Sequence, residues 1–177
     1  NCDLGNNKSE AFSWLGGTAK QLLSFQALSS NWVSNALWTQ GWRGVTWATQ
    51  AIVRIADNPN IPENKRTQFT GEAYFLRGLY YYYMVRQYGR LPIVDHILTY
   101  DEYYTPRATV EQTWEFIASD FQKAAELLPE KSAYEAQDLG RATRGAANAL
   151  LGMSYMYQKK YQEAYDTFKK VVDSGEY

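Results

Sequence analysis

Few side chains in this 177-residue sequence are of the kinds that make or break bonds, and those few stand apart. There is one histidine, His96, and one cysteine, Cys2. A lone histidine cannot form a His-based metal cluster, and a lone cysteine cannot close an internal disulfide. Asp101 and Glu102 are neighbours, but adjacency does not set two carboxyl groups across a scissile bond. No Gly-rich phosphate loop, nucleophile elbow or zinc spacing occurs. His96 follows Asp95 in a stretch that reads as extended loop, where a surface hydrogen-bonding role is expected. Arg77, Arg141 and Arg144 are expected to pair with Asp120, Asp138 or Glu72. These residues argue against an enzyme, and they call for no cofactor and no metal.

The aromatic content is the anomaly. Phe, Trp and Tyr make up 16% of the chain, as 7 Phe, 6 Trp and 15 Tyr. Trp14, Trp32, Trp38, Trp42 and Trp47 come early, whereas every Tyr lies at or after Tyr74. Charge offers no competing signal. The 18 basic and 19 acidic residues leave a net charge of −1, which removes the basic footprint of a nucleic-acid binder. No apolar run of about 18 residues occurs, so no membrane-spanning helix is expected. Nor does a basic leader followed by an apolar run open the sequence.

The elements that must hold these side chains read as helices. From Thr109, the apolar residues Val110, Trp114, Ile117, Phe121, Ala124 and Leu128 recur at three-and-four spacing and form one buried face. Thr109 with Gln112 is a capping box, and Pro129 stops the helix. A second helix runs from its N-cap Thr143 to Gln158, burying Ala147, Leu150, Leu151 and Ser154. A turn at Gln158-Lys159-Lys160 leads to a third, with Tyr161, Ala164, Tyr165, Phe168 and Val171, ended by Gly175. Upstream, Phe69, Ala73, Leu76, Tyr80 and Tyr83 mark a long helix over residues 62–88, closed by Gly89. Another, over 35–56, carries Trp38, Val45, Ile52 and Ile55. Residues 1–34 are an irregular, loop-rich segment, with a short helix at 18–28.

Successive helical residues are about 100° apart, so Tyr80 to Tyr83 cannot all point inward. Two are expected in the core and two facing a neighbour or partner. The longest insert runs from Arg90 to Pro106. Within it Leu91-Pro92-Ile93-Val94 is extended, because a residue before proline is pushed out of the helical region. No alternating pattern suggests a sheet. The reading is all-α.

The last two helices carry the spacing of a tetratricopeptide unit: Leu151, Gly152, Tyr155, Tyr161, Ala164, Phe168 and Val171. Gly152 and Ala164 would let the helices touch while Tyr155 and Phe168 fill the groove beside them. Ile117, Phe121, Ala124 and Pro129 repeat the second half of the pattern, and Leu76, Gly78 and Tyr81 its first half. Asn148 stands where the repeat usually has Trp, so the packing is degenerate tetratricopeptide-like, with long inserted loops.

Several stretches, in order, resemble the RagB/SusD family of glycan-binding outer-membrane lipoproteins. They are Glu72-Ala73-Tyr74-Phe75-Leu76-Arg77-Gly78-Leu79-Tyr80-Tyr81, Tyr88-Gly89-Arg90-Leu91-Pro92-Ile93-Val94 and Pro106-Arg107-Ala108-Thr109-Val110. Then come Ile117-Ala118-Ser119-Asp120-Phe121, the run from Gly140 to Leu151, and Ser174-Gly175-Glu176-Tyr177. The resemblance implies a non-catalytic cell-surface lipoprotein of Bacteroidota that captures oligosaccharide or polysaccharide. It also implies a SusC-like TonB-dependent transporter beneath it. Family members are several times longer, so residues 35–177 read as the helical N-terminal scaffold of a longer protein, with a lipid anchor outside this chain. Cys2 is not read as the lipidated cysteine, because Asp3-Leu4-Gly5-Asn6-Asn7 departs from the family's usual following segment.

With a glycan as the implied ligand, flat aromatic faces become the candidates. They cover the apolar C–H face of a pyranose while amides, carboxylates and Arg bond its hydroxyls. Trp14, Asn31, Trp32, Asn35 and Trp38 are the candidate glycan contacts, in or beside the least periodic stretch, where scaffolds present functional loops. Trp42 and Trp47 are expected to pack the core. Tyr100, Tyr103 and Tyr104, beside Asp101 and Glu102, form an exposed aromatic–acidic loop that could touch glycan or transporter or only cap the scaffold, the last being the expectation. An alternative from another class is a tetratricopeptide scaffold whose groove binds a peptide or protein. An α-helical glycoside-active enzyme is the third and weakest reading.

Overall fold

A computed structural model describes residues 32–177, and every regular element among them is helical. Five α-helices follow one another: α1 Trp32–Ile55, α2 Glu63–Tyr88, α3 Val110–Leu127, α4 Arg144–Tyr157 and α5 Tyr161–Asp173. Short 3-10 turns at Tyr100–Tyr104, Lys131–Ala133 and Ala136–Asp138 interrupt the connections. The chain divides into two compact units, Asn1–Gln40 and Gly41–Tyr177. Trp32 to Ser34, expected in the irregular segment, are already helical. The short helix expected at 18–28 lies outside the described residues, as does Cys2.

Local signals set the helix ends. The α3 start is the expected capping box: Gln112 N donates to Thr109 Oγ1 at 3.1 Å, and Thr109 N donates to Gln112 Oε1 at 2.9 Å. At α4, Ala146 N donates to Thr143 Oγ1 at 3.1 Å. Gly89 closes α2 at φ 69°, a left-handed geometry that glycine adopts without a Cβ penalty. These contacts satisfy backbone groups that a helix end leaves without partners.

Within Gly41–Tyr177, consecutive helices pack side by side in antiparallel order. Small residues bring α2 against α3. A Cβ on Gly71 would sit 2.9 Å from Leu127 Cβ, and one on Gly78 would sit 3.1 Å from the Phe121 ring. Into that close contact fit Ile117, Phe121, Ala124 and Leu128, all fully buried, as the three-and-four spacing anticipates. Burying each large apolar side chain of this kind stabilises the fold by about 1.5–3 kcal/mol. The α4–α5 pair obeys the tetratricopeptide reading: Ala164 is buried, and a Cβ on Gly152 would lie 2.6 Å from the Phe168 ring.

The buried side of α2 differs from its periodic set. Leu76, Tyr80 and Tyr83 are exposed, whereas Ala73, Arg77, Gly78, Tyr81, Tyr82 and Val85 are buried. The cause is that α2 touches helices on two sides, and glycines rather than aliphatics make its tightest contact. Of the four consecutive tyrosines, Tyr81 and Tyr82 face inward and Tyr80 and Tyr83 outward, the expected division.

Candidate functional site

Three of the five candidate glycan contacts lie at the start of α1. Trp32 is 50% exposed, Asn35 is exposed and Trp38 is half-buried. Their spacing of three residues places them on one broad face over nearly two turns. Trp14 and Asn31 lie outside the described residues. A helix fixes the spacing of such side chains more rigidly than a loop would.

Further along α1 the tryptophans part company. Trp42 is half-buried, with its ring edge-on to Tyr81 at 5.8 Å. Trp47, expected in the core, is instead 67% exposed. It borders an open groove of about 390 Å³ between α1 and α2, lined also by Ile55, Phe69, Leu76 and Tyr80. The groove is predominantly apolar. One charged residue that lines it, Glu72, is engaged by Arg141 through two hydrogen bonds of 2.7 Å. One turn before Trp47, Gly44 admits the Tyr80 ring against the helix backbone. A Cβ there would be 2.3 Å from that ring.

The insert after α2 is ordered from beneath. The Tyr81 phenol accepts a hydrogen bond from Val94 N at 2.8 Å and donates one to Pro92 O at 2.9 Å. Burial pushes its pKa up, so it stays a neutral donor. Arg77 donates to Asp95 O at 3.2 Å while its other nitrogens hold Asp120. Thr49 Oγ1 on α1 donates to Val94 O at 3.3 Å. At the base of the insert, Ala108 N donates to Leu91 O at 2.9 Å. The expected extended segment is thus tied to α1 and α2 by side chains rather than by a sheet.

On top of this support the 3-10 turn Tyr100–Tyr104 carries its own lock. Thr99 N and Oγ1 each donate to Glu102 Oε2 at 2.8 Å. The other Glu102 oxygen meets His96 Nε2 at 3.1 Å, and His96 Nδ1 meets Asp95 Oδ1 at 2.7 Å. The Thr99 contacts, with His96 behind them, bring the Glu102 carboxyl down to about 2. Asp95, then Glu102, raises the pKa of His96, and its two ring contacts give it the hydrogen-bonding role expected. The loop is exposed, as expected. Tyr100, Tyr103 and Tyr104 are 83%, 66% and 94% exposed. The signal that could have revealed this turn is Thr99 with Glu102, itself at capping-box spacing.

Two of the three arginines pair as expected. Arg77 pairs with Asp120, and Arg141 with Glu72 and Asp138. Arg144 pairs with Glu130 instead, because it also reaches back to Leu128 O at the end of α3. Among the described residues, no group of three or more His, Cys, Asp or Glu side chains could hold a metal ion. No helix among them is long and apolar enough to cross a membrane.

Comparison with known proteins agrees with this architecture. The SusD-like family described as starch-binding and associating with the outer membrane matches residues 4–156. A SusD-like protein of Formosa agariphila is 29% identical over 160 residues, covering 89% of this chain and 31% of that protein. A SusD-like protein of Bacteroides fragilis, solved by crystallography, superposes with a TM-score of 0.77 at 30% identity. That match covers 85% of this chain and 29% of the other. A laminarin-binding SusD-like protein superposes at 0.71 with 28% identity, covering 77% of this chain and 29% of its own. The chain thus spans under a third of the length of these relatives. Its helical scaffold and the match over residues 4–156 show that the chain belongs to the SusD-like family.

Proposed function

We propose that this chain is part of a cell-surface protein that captures oligosaccharide without cleaving it. The bound glycan passes to a SusC-like TonB-dependent transporter in the outer membrane, where a lipid anchor holds the protein. The observation that carries the binding step is the half-exposed Trp32 indole, one turn from the exposed Asn35 amide and on the same helix as Trp38. A flat ring beside an amide is what a pyranose needs, one group for its C–H face and one for its hydroxyls. The family description and the laminarin-binding relative support the ligand class. The transporter partnership and the lipid anchor rest on the family resemblance alone.

A second reading has its own observation. The apolar α1–α2 groove beneath Trp47, Leu76 and Tyr80 suits a peptide or protein better than a sugar, because its lining offers few hydrogen-bonding groups. Affinity electrophoresis of the full-length protein through gels containing different polysaccharides separates the two. Retardation by at least one neutral glycan is expected. Migration unchanged by every glycan, with stable co-purification of a soluble peptide partner, favours the scaffold reading instead.

A further inference from the structure

We propose that the Tyr100–Tyr104 turn and the pocket beside Tyr103 form a second glycan subsite, separate in sequence from the early tryptophans, that takes a neutral pyranose unit. This rests on the glycan-binding reading above and adds to it a location and a preference.

The pocket has a volume of about 120 Å³ and opens between α1 and the insert, with Thr46, Gln50, His96, Ile97, Leu98 and Tyr103 among its lining. That volume accommodates part of one sugar ring and leaves the rest against the open tyrosine surface. Tyr100 and Tyr103 stand nearly perpendicular, at 85° with ring centres 6.0 Å apart. They form a floor and a wall. A pyranose stacked on one ring meets the edge of the other, and Tyr104 extends the aromatic surface along the turn.

The polar complement is at hand. The half-buried Gln50 amide lines the pocket and makes no hydrogen bond among the described residues, so it has donors and an acceptor to offer hydroxyls. Exposed Asp101 stands between the two tyrosines in the turn and adds carboxylate acceptors. Asp95 and Glu102 are both engaged by His96, so exposed Asp101 sets the preference. Negative charge around a shallow site disfavours a uronate or a sulfated sugar and leaves neutral glycans unaffected.

Rigidity makes an exposed loop useful as a platform. The Thr99–Glu102 box, the His96 bridge and a 2.5 Å bond from Thr105 Oγ1 to Glu102 O hold the turn from both ends. From below, Arg77 holds Asp95 and Tyr81 holds Val94. The backbone of the turn therefore loses little additional freedom on binding, which is where a flexible loop would forfeit affinity.

The test is calorimetric titration of the full-length protein with glucan, mannan and xylan oligosaccharides and with oligogalacturonate. Tyr103→Ala, Gln50→Ala and Trp32→Ala variants are compared with the wild type. Tyr103 is mostly exposed, so its variant should keep the wild-type circular dichroism and melting temperature. Loss of one stacking face should weaken binding of the best neutral oligosaccharide about tenfold. Gln50→Ala should weaken it by a smaller factor, and oligogalacturonate should bind more weakly than the neutral ligand. Neutral binding that Tyr103→Ala and Gln50→Ala both leave intact overturns the subsite while the glycan-binding reading stands. Absence of binding by the wild type to every sugar overturns both.

Discussion

Arg77 and Asp120 face each other between α2 and α3 in a two-pronged contact, Nε to Oδ2 at 2.8 Å and Nη2 to Oδ1 at 2.7 Å. Both side chains are almost wholly buried, at 4% and 1% exposure. Burial pushes the Asp120 carboxyl up, against the guanidinium that pulls it down. The same guanidinium reaches Asp95 O and Thr49 Oγ1, so this pair joins the helical core to the insert that carries Tyr100–Tyr104.

Removing one partner should therefore be costly. Asp120→Ala leaves a buried guanidinium without its counter-charge and should destabilise the fold by about 3–5 kcal/mol in chemical denaturation. The double change Arg77→Met with Asp120→Leu should recover most of that loss, because two apolar groups need no partners. Hydrogen exchange should nevertheless remain faster at residues 94–104 in the double variant, since the tie to Asp95 O is gone. Wild-type protection there would show that the pair has no part in ordering the insert.

Tyr81→Phe isolates the second tie. The ring keeps its buried place, but Val94 N loses its acceptor and Pro92 O its donor. A loss of about 1–3 kcal/mol is expected, the cost of leaving a buried backbone group unsatisfied. A variant as stable as the wild type would mean that other groups replace both bonds.

Close packing of α4 and α5 depends on Gly152. A methyl group there meets the Phe168 ring at 2.6 Å, and overpacking of this kind costs about 1–3 kcal/mol. The gain in helix propensity from Gly to Ala returns up to about 1 kcal/mol. Net destabilisation of Gly152→Ala by about 1–2 kcal/mol is the expected result of thermal or chemical unfolding. Stabilisation would place Phe168 elsewhere.

The His96 bridge makes the aromatic turn pH-sensitive in a defined direction. His96 has its pKa raised above 6.5 by Asp95 and then Glu102, so its contribution is complete below 6.5 and lost as pH rises through the folded value. Glu102, lowered from 4.5 to about 2, contributes above 4.5 and stops doing so as pH falls towards 2. The turn is held best between 4.5 and 6.5. Titration of the His96 ring by NMR should give a pKa above 6.5, reduced more by Asp95→Asn than by Glu102→Gln. An unshifted His96 would show that the bridge does not form in solution.

Much of the scaffold was legible in the sequence because its signals are local. Thr109 with Gln112, Thr143 as N-cap, and Pro129 after α3 fix ends through contacts three or four residues away. The buried face of α3 and the small residues of the last helical pair followed from spacing alone. What escaped depends on neighbours distant in sequence. Trp47 has the type of a core residue yet borders the open α1–α2 groove. The tight contacts of Gly44 with Tyr80, and of Gly71 and Gly78 with α3, come from glycines that carry no apolar signal. The exposure of Tyr100, Tyr103 and Tyr104 was legible, but the support of the insert beneath them was not, because it comes from Arg77 on α2 and Thr49 on α1. Of the candidate glycan contacts, the sequence located Asn35 and Trp38 on one helix, left Trp32 in the irregular segment, and offered no measure of their exposure.

The central claim is that this chain binds glycan through exposed aromatic faces, and one comparison tests it most directly. Laminarin is titrated into the full-length wild-type protein and into a Trp32→Ala variant whose melting temperature is unchanged. Saturable binding by the wild type, weakened about tenfold in the variant, is the predicted result. Equal affinity in the two proteins would contradict the role of Trp32, and no binding by either to laminarin or any other glycan would contradict the claim itself.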